Sequence, residues 1–144
     1  MGRVTEIPVI EFSDWFAWQE RDQIPECHLP GLYALAHFKK PPTGSADPLN
    51  SDVVYIGQSC GQGGVKGRLN LFDRSATSGR KGHSGGRTYR DANGSVRPDL
   101  NVSVAVVPTY ASARVRNAFI LFVERKLIWE FSIAHGHPPP CNKH

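Results

Sequence analysis

The sequence of 144 residues predicts an α/β (α+β) fold, a small three-stranded sheet flanked by helices. Three short segments have the alternating or β-branched pattern of strands, and others carry apolar residues at helical spacing. Their order along the chain is helix, strand, strand, helix, strand, long helix, which favours one antiparallel or mixed sheet with helices packed on it. The length predicts a single domain, residues 1–144.

The N-terminal half predicts one short helix and two strands. Residues Phe12–Arg21 include Ser13 as a capping candidate and are rich in tryptophan and phenylalanine, which predicts an amphipathic helix. The alternating segment Leu32–Phe38 and the β-branched segment Val53–Gly57 predict strands. Because Lys39–Asp52 holds three prolines, we expect it to be a loop that joins the two strands into a hairpin.

The C-terminal half predicts a helix, a strand and a long helix. Ten of the fourteen glycines lie between Gly57 and Gly94, so we expect most of that stretch to be loop, with one helix over Lys66–Ala76. Alternating valines over Val102–Val106 predict a third strand. A long helix is expected over Ser112–Ala134, capped by its first residue and ended by glycine and proline.

Positive charge is concentrated in one part of the chain. The formal net charge is +4, and the segment from Lys66 to Arg97 has eight basic residues against two acidic ones. Such a segment is either a solvated basic loop or a surface that binds phosphates. The candidate contacts to nucleic acid are Lys66, Arg74, Arg80, Lys81, Arg87 and Arg90.

Cysteine content and hydropathy predict a cytoplasmic protein without a membrane segment. Cys27, Cys60 and Cys141 are widely spaced and odd in number, which favours reduced thiols over disulfides or a zinc site. The N-terminus lacks the basic and then apolar pattern of a signal peptide. No apolar run reaches the roughly 18 residues that span a bilayer. We therefore expect a cytoplasmic location and no membrane partner.

Glu124 is the most informative single residue. Winding the predicted long helix at about 100° per residue places this carboxylate in the middle of an apolar face, among Ile120, Leu121, Leu127, Ile128 and Phe131. An unpaired carboxylate in such a place is strongly destabilising unless something compensates its charge. A buried ion pair with an arginine is one explanation, and a metal-binding or catalytic role in a concave site is the other.

Two tyrosines lie on the two strands of the predicted hairpin, each close to a glycine. Tyr33 follows Gly31 by two positions, and Tyr55 precedes Gly57 by two. Each tyrosine alone is most simply a core residue with its hydroxyl bonded to the backbone. Since glycine permits close approach of a backbone or a phosphate, the pair also predicts two phenols that converge on one point.

Three further polar residues are candidates for a site. Arg68 follows a glycine-rich stretch near the start of a predicted helix, where an arginine either grips a phosphate or lies solvated. His83 is flanked by glycines and basic residues, so we expect it to be exposed, as an inert loop residue, a phosphate contact or a proton carrier. Asn142 follows three prolines, which predicts either a frayed tail or a stiff segment that holds the asparagine in place.

Taken together, these positions resemble the catalytic core of the GIY-YIG nuclease superfamily. Gly31–Tyr33 is similar to the first half of that name and Tyr55–Gly57 to the second. In that family two tyrosines, a helix arginine, a helix glutamate and a later asparagine form the active site. The resemblance covers most of the chain and places this set at Tyr33, Tyr55, Arg68, Glu124 and Asn142.

The chain also departs from the family pattern. The loop Lys39–Asp52 is longer than the usual connection between the two tyrosine strands, and a glycine-rich insertion precedes Arg68. Four residues after the arginine the family commonly has histidine or tyrosine, whereas Phe72 stands here. His83 is a candidate replacement from the loop. The basic, glycine-rich insertion resembles the restriction-endonuclease branch of the superfamily.

The resemblance implies a metal-dependent endonuclease that hydrolyses DNA and leaves 5′-phosphate and 3′-hydroxyl ends. Glu124 would hold a divalent cation, Mg²⁺ or alternatively Mn²⁺. Tyr33 is the first choice for activating the attacking water, with Tyr55 assisting, and Arg68 would stabilise the charge of the transition state. RNA as a substrate and a homodimer are left open. The alternative is a nucleic-acid-binding module that has this fold but no catalysis.

Overall fold

A computed structural model describes residues 6–143, which form an α+β fold around one four-stranded antiparallel sheet. Residues 1–5 and 144 of the predicted domain lie outside this range. The strand order is β1-β4-β2-β3. The strands are β1, Phe16–Ala17; β2, Gly31–His37; β3, Val53–Ser59; and β4, Leu100–Val106. The helices are α1, Gly64–Ser78; α2, Ser84–Asn93; and α3, Ala113–His135.

The predicted hairpin of β2 and β3 is confirmed. The two strands pair antiparallel, with Tyr33 opposite Gly57 and Leu35 opposite Tyr55. This register puts the two tyrosines on the same face of the sheet as diagonal neighbours, which are within reach of long side chains. Strand β2 also pairs along its whole length with β4 and is therefore a central strand, almost entirely buried.

The sheet separates two layers of core. On one face α1 and α2 cover Tyr33 and Leu35 together with the alternating residues of β4. On the other face α3 covers Leu32 and Ala34 through Val123 and other apolar side chains. Side chains alternate across a strand, so consecutive β2 residues stabilise opposite layers. Both faces of β2 are buried for this reason.

The helix predicted over Phe12–Arg21 is wrong, and the sheet has four strands where three were predicted. The strand β1 pairs with β4, and Trp18–Gln23 forms a 3₁₀ helix. Trp15 packs on Phe38 in the α3 layer, whereas Trp18 packs on the other face of the sheet. Residues three apart would share one face of an α-helix, so an extended chain is needed to send the two indoles to opposite layers.

The sequence predicted that most of residues 57–94 would be loop because of their glycines. In the structure most of them belong to the end of β3, to α1 and to α2. The helix predicted over Lys66–Ala76 is confirmed within the longer α1, but α2 was missed. A Cβ built on Gly86 of α2 would lie 2.8 Å from the Phe72 carbonyl oxygen and 2.8 Å from Ser75 Cβ. Glycine therefore serves close packing of α2 on α1 rather than a turn.

All three cysteines, Cys27, Cys60 and Cys141, are free thiols, as predicted. Within residues 6–143, no helix combines the length and the apolar character needed to cross a bilayer.

Candidate active site

A cleft of about 180 Å³ opens beside the outer edge of β3. Its walls come from β3, the start of α2, the middle of α3 and the C-terminal tail. The residues that line it include Tyr55, Gly85, Thr88, Glu124, Asn142 and Lys143. Three of the predicted site residues, a tyrosine, the glutamate and the asparagine, therefore meet in one concavity although they are far apart in the sequence.

The two tyrosines differ in their access to this cleft. Tyr33 is 0% exposed, whereas Tyr55 is half-buried and lines the cleft. Their ring centroids are 6.0 Å apart. Burial raises the pKa of Tyr33 well above its ordinary value and raises the pKa of Tyr55 to about 12. Tyr55 is thus the phenol that a molecule in the cleft would meet first.

Two glycines create the space that the tyrosine rings occupy. A Cβ on Gly57 would lie 2.5 Å from Tyr33 Cζ, and a Cβ on Gly85 would lie 2.4 Å from Tyr55 Cε1. Both distances are shorter than any real contact, so a larger residue at either position would displace a ring. The sequence predicted close approach at Gly57, but it gave no indication of the role of Gly85.

The expectation that His83 is exposed is wrong. It is 1% exposed and lies between the end of α1 and the start of α2. Its Nε2 is 2.7 Å from the Tyr33 hydroxyl oxygen. It is the N-cap of α2, where Nδ1 accepts a hydrogen bond from the Gly86 N–H at 3.1 Å. Burial, with the charge of Arg68 adding to it, lowers the pKa of His83 to about 3. The ring is therefore neutral at physiological pH.

Phe72, the position at which the sequence departs from the GIY-YIG pattern, packs against His83. Phe72 is fully buried, and its ring centroid is 5.2 Å from that of His83 and 6.0 Å from that of Tyr55. The phenylalanine thus forms an apolar wall of the tyrosine cluster while the histidine from α2 supplies the polar contact. This arrangement is consistent with His83 as the replacement, which stays a prediction.

Arg68 lies on α1 and lines a different groove from Glu124 and Asn142. Its Nη1 donates to the Gly82 carbonyl oxygen at 3.2 Å, which ties α1 to the turn before α2. Its positive charge and its hydrogen bond to Tyr33 oppose the effect of burial on the Tyr33 pKa. A shallow groove next to it is lined by several glycines and by Arg74.

The sequence predicted Glu124 in the middle of the buried face of α3. In the structure it lies at the margin of that face. It is half-buried, and its neighbour Leu121 is 47% exposed. Burial raises the pKa of this carboxyl, while the charges of Arg125 and Arg68 oppose the shift. The carboxylate is therefore both partly desolvated and open to the cleft, which is the combination that a ligand to a cation requires.

Asn142 is fixed by the backbone of the neighbouring strand. Its Oδ1 accepts from the Ile56 N–H at 2.8 Å, and its Nδ2 donates to the Ile56 carbonyl at 2.9 Å. The Cys141 N–H also donates to the Val54 carbonyl at 2.8 Å. The tail covers the free edge of β3 in this way, so of the two alternatives the stiff, placed segment is the one found.

The donors in the cleft suit a magnesium ion better than a zinc ion. In residues 6–143 no group of three or more His, Cys, Asp or Glu side chains is placed to hold a metal. Glu124 is the carboxylate that lines the cleft. Mg²⁺ is bound by one or two carboxylates while it keeps several waters, whereas zinc sites need three or four protein ligands. The residues present therefore fit Mg²⁺ or Mn²⁺ that shares its coordination with a substrate.

The predicted contacts to nucleic acid divide into two groups. Five of them are exposed on α1, α2 and the turn between them: Lys66, Arg74, Arg80, Lys81 and Arg87. Arg90 instead donates to the carbonyl oxygens of Ala76 and Thr77 at the end of α1, which gives it a structural role. Arg125 and Lys143 line the cleft and were not predicted, because they lie outside the basic segment of the sequence.

No known protein family, curated protein or solved structure shows a significant match to this chain.

Proposed function

We propose that this chain is a metal-dependent endonuclease of the GIY-YIG type that hydrolyses DNA phosphodiester bonds. The observation that carries the proposal is the meeting of Tyr55, Glu124 and Asn142 in one cleft, with Tyr33 directly behind it. These are four of the five positions that the sequence resemblance assigns to the active site. Products with 5′-phosphate and 3′-hydroxyl ends belong to the proposal.

The protein groups around the cleft suit phosphodiester hydrolysis. Tyr55 and Glu124 line the same cleft, so the phenol can contact an attacking water held near the carboxylate. Lys143 and Arg125 place positive charge at the same opening, which favours a phosphate there. Asn142 holds β3 in place and so fixes the position of Tyr55 relative to the carboxylate.

A divalent ion bound by Glu124 would neutralise charge on the scissile phosphate and stabilise the leaving oxygen. The carboxylate is suited to this role because it is partly buried and faces the cleft. The charge of Arg68 acts on both Tyr33 and Tyr55 and opposes the rise in their pKa, and a guanidinium there would stabilise negative charge that develops at the phosphate.

DNA is the proposed substrate because of the distribution of charge. Exposed basic side chains on α1 and α2, Lys66, Arg74, Arg80, Lys81 and Arg87, provide positive charge close to the tyrosine cluster. Contacts to phosphates give affinity that does not depend on base sequence and that falls with salt. A polyanion that lies across α1 and α2 would be led to the cleft by this surface.

Cleavage of supercoiled plasmid with Mg²⁺, Mn²⁺ or EDTA tests the proposal. We expect nicking or linearisation with either metal, no product in EDTA, and loss of activity in Glu124→Gln. Glu130→Gln is the matched control, because Glu130 lies on the same helix but pairs with Lys126 at 2.9 Å, away from the cleft. Equal cleavage by wild type and Glu124→Gln would overturn the assignment.

Binding without cleavage is the outcome that favours the alternative function. A non-catalytic nucleic-acid-binding module would retard DNA in a manner sensitive to salt and yield no cut product with either metal. Mapping of the ends on duplex, single-stranded and branched DNA, and on RNA, identifies the substrate class if cleavage is seen.

A further inference from the structure

A directed chain of hydrogen bonds begins at the N-terminus of α2. The Gly86 N–H donates to His83 Nδ1 at 3.1 Å, so this nitrogen carries no proton. A neutral imidazole has one proton, which must then be on Nε2. Nε2 lies 2.7 Å from the Tyr33 hydroxyl oxygen, and consequently His83 is the donor and Tyr33 the acceptor in this bond. The backbone of α2 sets the tautomer.

The Tyr33 hydroxyl must pass its own proton onward. It is fully buried, so water is not a partner, and a buried hydroxyl proton without an acceptor is costly. The ring of Tyr55 packs beside that of Tyr33, with the centroids 6.0 Å apart. The remaining neighbour is Arg68, which is a donor only. The Tyr55 hydroxyl on the adjacent ring is the acceptor that remains, and a side-chain hydrogen bond from Tyr33 acts to lower the Tyr55 pKa.

We propose that His83 is a positioning residue that acts through Tyr33 to orient Tyr55, and that Tyr55 is the phenol that contacts the attacking water. This role of Tyr55 rests on the proposed nuclease function, whereas the direction of the hydrogen bonds does not. The inference reverses the order expected from the sequence, in which Tyr33 came first. The reason is access, since Tyr55 lines the cleft and Tyr33 does not.

A hydrogen bond donated by Tyr33 has a consequence for the reaction. It occupies one lone pair of the Tyr55 oxygen and leaves the other lone pair and the Tyr55 proton available to a water in the cleft. Tyr55 keeps its own proton and can therefore orient the attacking water by hydrogen bonding, without accepting a proton from it. His83 supports the donor by occupying a lone pair of the Tyr33 oxygen, which leaves the Tyr33 proton directed at Tyr55.

Two substitutions distinguish the roles of the two ring nitrogens of His83, the cap made by Nδ1 and the hydrogen bond from Nε2 to Tyr33. His83→Asn places an oxygen where Nδ1 caps α2, but it cannot reach Tyr33. His83→Gln reaches Tyr33 with an amide N–H but gives up the cap. We expect His83→Asn to lose about tenfold in kcat with KM unchanged, since one hydrogen bond is removed, and to melt somewhat earlier than wild type because a buried ring is replaced by a smaller side chain. We expect His83→Gln to melt earlier and to keep most of kcat.

A purely structural role for His83 predicts the opposite pattern. His83→Asn would then be fully active, and His83→Gln would lose activity in proportion to its lost stability. That result would overturn the proposal, as would equal losses of kcat in both variants at equal Tm.

The hydrogen-bond direction can be read without any enzymatic activity. In ¹⁵N-labelled protein we expect the neutral Nε2–H tautomer of His83 from neutral pH to about pH 5, and a shift of its Nε2–H signal in Tyr33→Phe. The Nδ1–H tautomer would overturn the inference even in an active protein. A wild type that cleaves nothing, with the Nε2–H tautomer present, would refute the nuclease function and the role of Tyr55 but leave the hydrogen-bond chain standing.

Discussion

The side chain of Asn142 forms hydrogen bonds with both backbone groups of Ile56, at 2.8 Å to the N–H and 2.9 Å to the carbonyl. An asparagine amide has the same donor and acceptor pair as a peptide unit, so it replaces one residue of a fifth strand at the edge of β3. The bonded residue is next to Tyr55. The end of the chain therefore holds the strand that presents the cleft tyrosine.

Replacing this asparagine is expected to loosen the tail. Asn142→Ala removes two hydrogen bonds and leaves the Ile56 groups to water, so the free energy of unfolding should fall by about 1–3 kcal/mol. Urea denaturation measures the change. Lys143→Ala is the control, because Lys143 is exposed in the same tail and should leave stability unchanged. A loss below about 0.5 kcal/mol in Asn142→Ala would mean that these bonds contribute little.

Two helical glycines are expected to respond in opposite ways to alanine. Gly85→Ala in α2 places a Cβ 2.4 Å from Tyr55 Cε1, so it should displace the ring and reduce cleavage. Gly67→Ala in α1 meets nothing within 4 Å and should stabilise the protein by about 0.5–1 kcal/mol through helix propensity. Thermal denaturation and plasmid cleavage on both variants test this contrast. A Gly85→Ala protein that is more stable and fully active would contradict the tight packing of α2 on Tyr55.

Stability is expected to decrease in mild acid because of His83. Its pKa is about 3 when folded, against about 6.5 for an unfolded histidine. Below about pH 6.5 the unfolded chain binds a proton that the folded chain excludes, so stability is full above that pH and is lost as the pH falls toward 3. From neutral pH to about pH 5 the loss should be about 2 kcal/mol.

Urea denaturation of His83→Asn at the same pH values isolates this effect. The asparagine keeps the cap but cannot titrate, so most of the pH dependence should disappear. A smaller part should remain from His37, whose pKa is also lowered by burial. The same acid sensitivity in wild type and variant would assign the effect to other groups.

Local sequence signals predicted those elements whose cause is local. The start of α3 was found because Ser112 is a capping residue, and its hydroxyl oxygen does accept from the Val115 N–H at 3.2 Å. Its end was found because Gly136 takes the left-handed conformation, at φ 80°. The pairing of β2 with β3 followed from alternation and from the proline-rich loop between them. Each of these causes lies within a few residues of its effect.

The errors have causes that lie far away in the sequence. Gly85 and Gly86 were predicted to lie in a loop. They are glycines because a side chain would meet the Tyr55 ring or the Phe72 backbone, and both of these belong to other elements. His83 was expected to be exposed because its neighbours in the sequence are glycine and basic residues. Its actual neighbour is Tyr33, fifty residues earlier. The resemblance thus named three of the residues that line the cleft, Tyr55, Glu124 and Asn142, but the hydrogen bonds around them could be found only from the fold.

Metal binding at Glu124 is expected to appear as stabilisation even where no DNA is present. Because burial raises the pKa of this carboxyl, its charged form is disfavoured in the folded chain, and Glu124→Gln should be at least as stable as wild type without metal. A ligand at 100 times its Kd adds about 2.7 kcal/mol. Millimolar Mg²⁺ or Mn²⁺ should therefore raise the Tm of wild type and of Glu130→Gln but not of Glu124→Gln. An equal rise in all three proteins would place the ion elsewhere, and no rise in wild type would contradict metal binding at Glu124 in the absence of DNA.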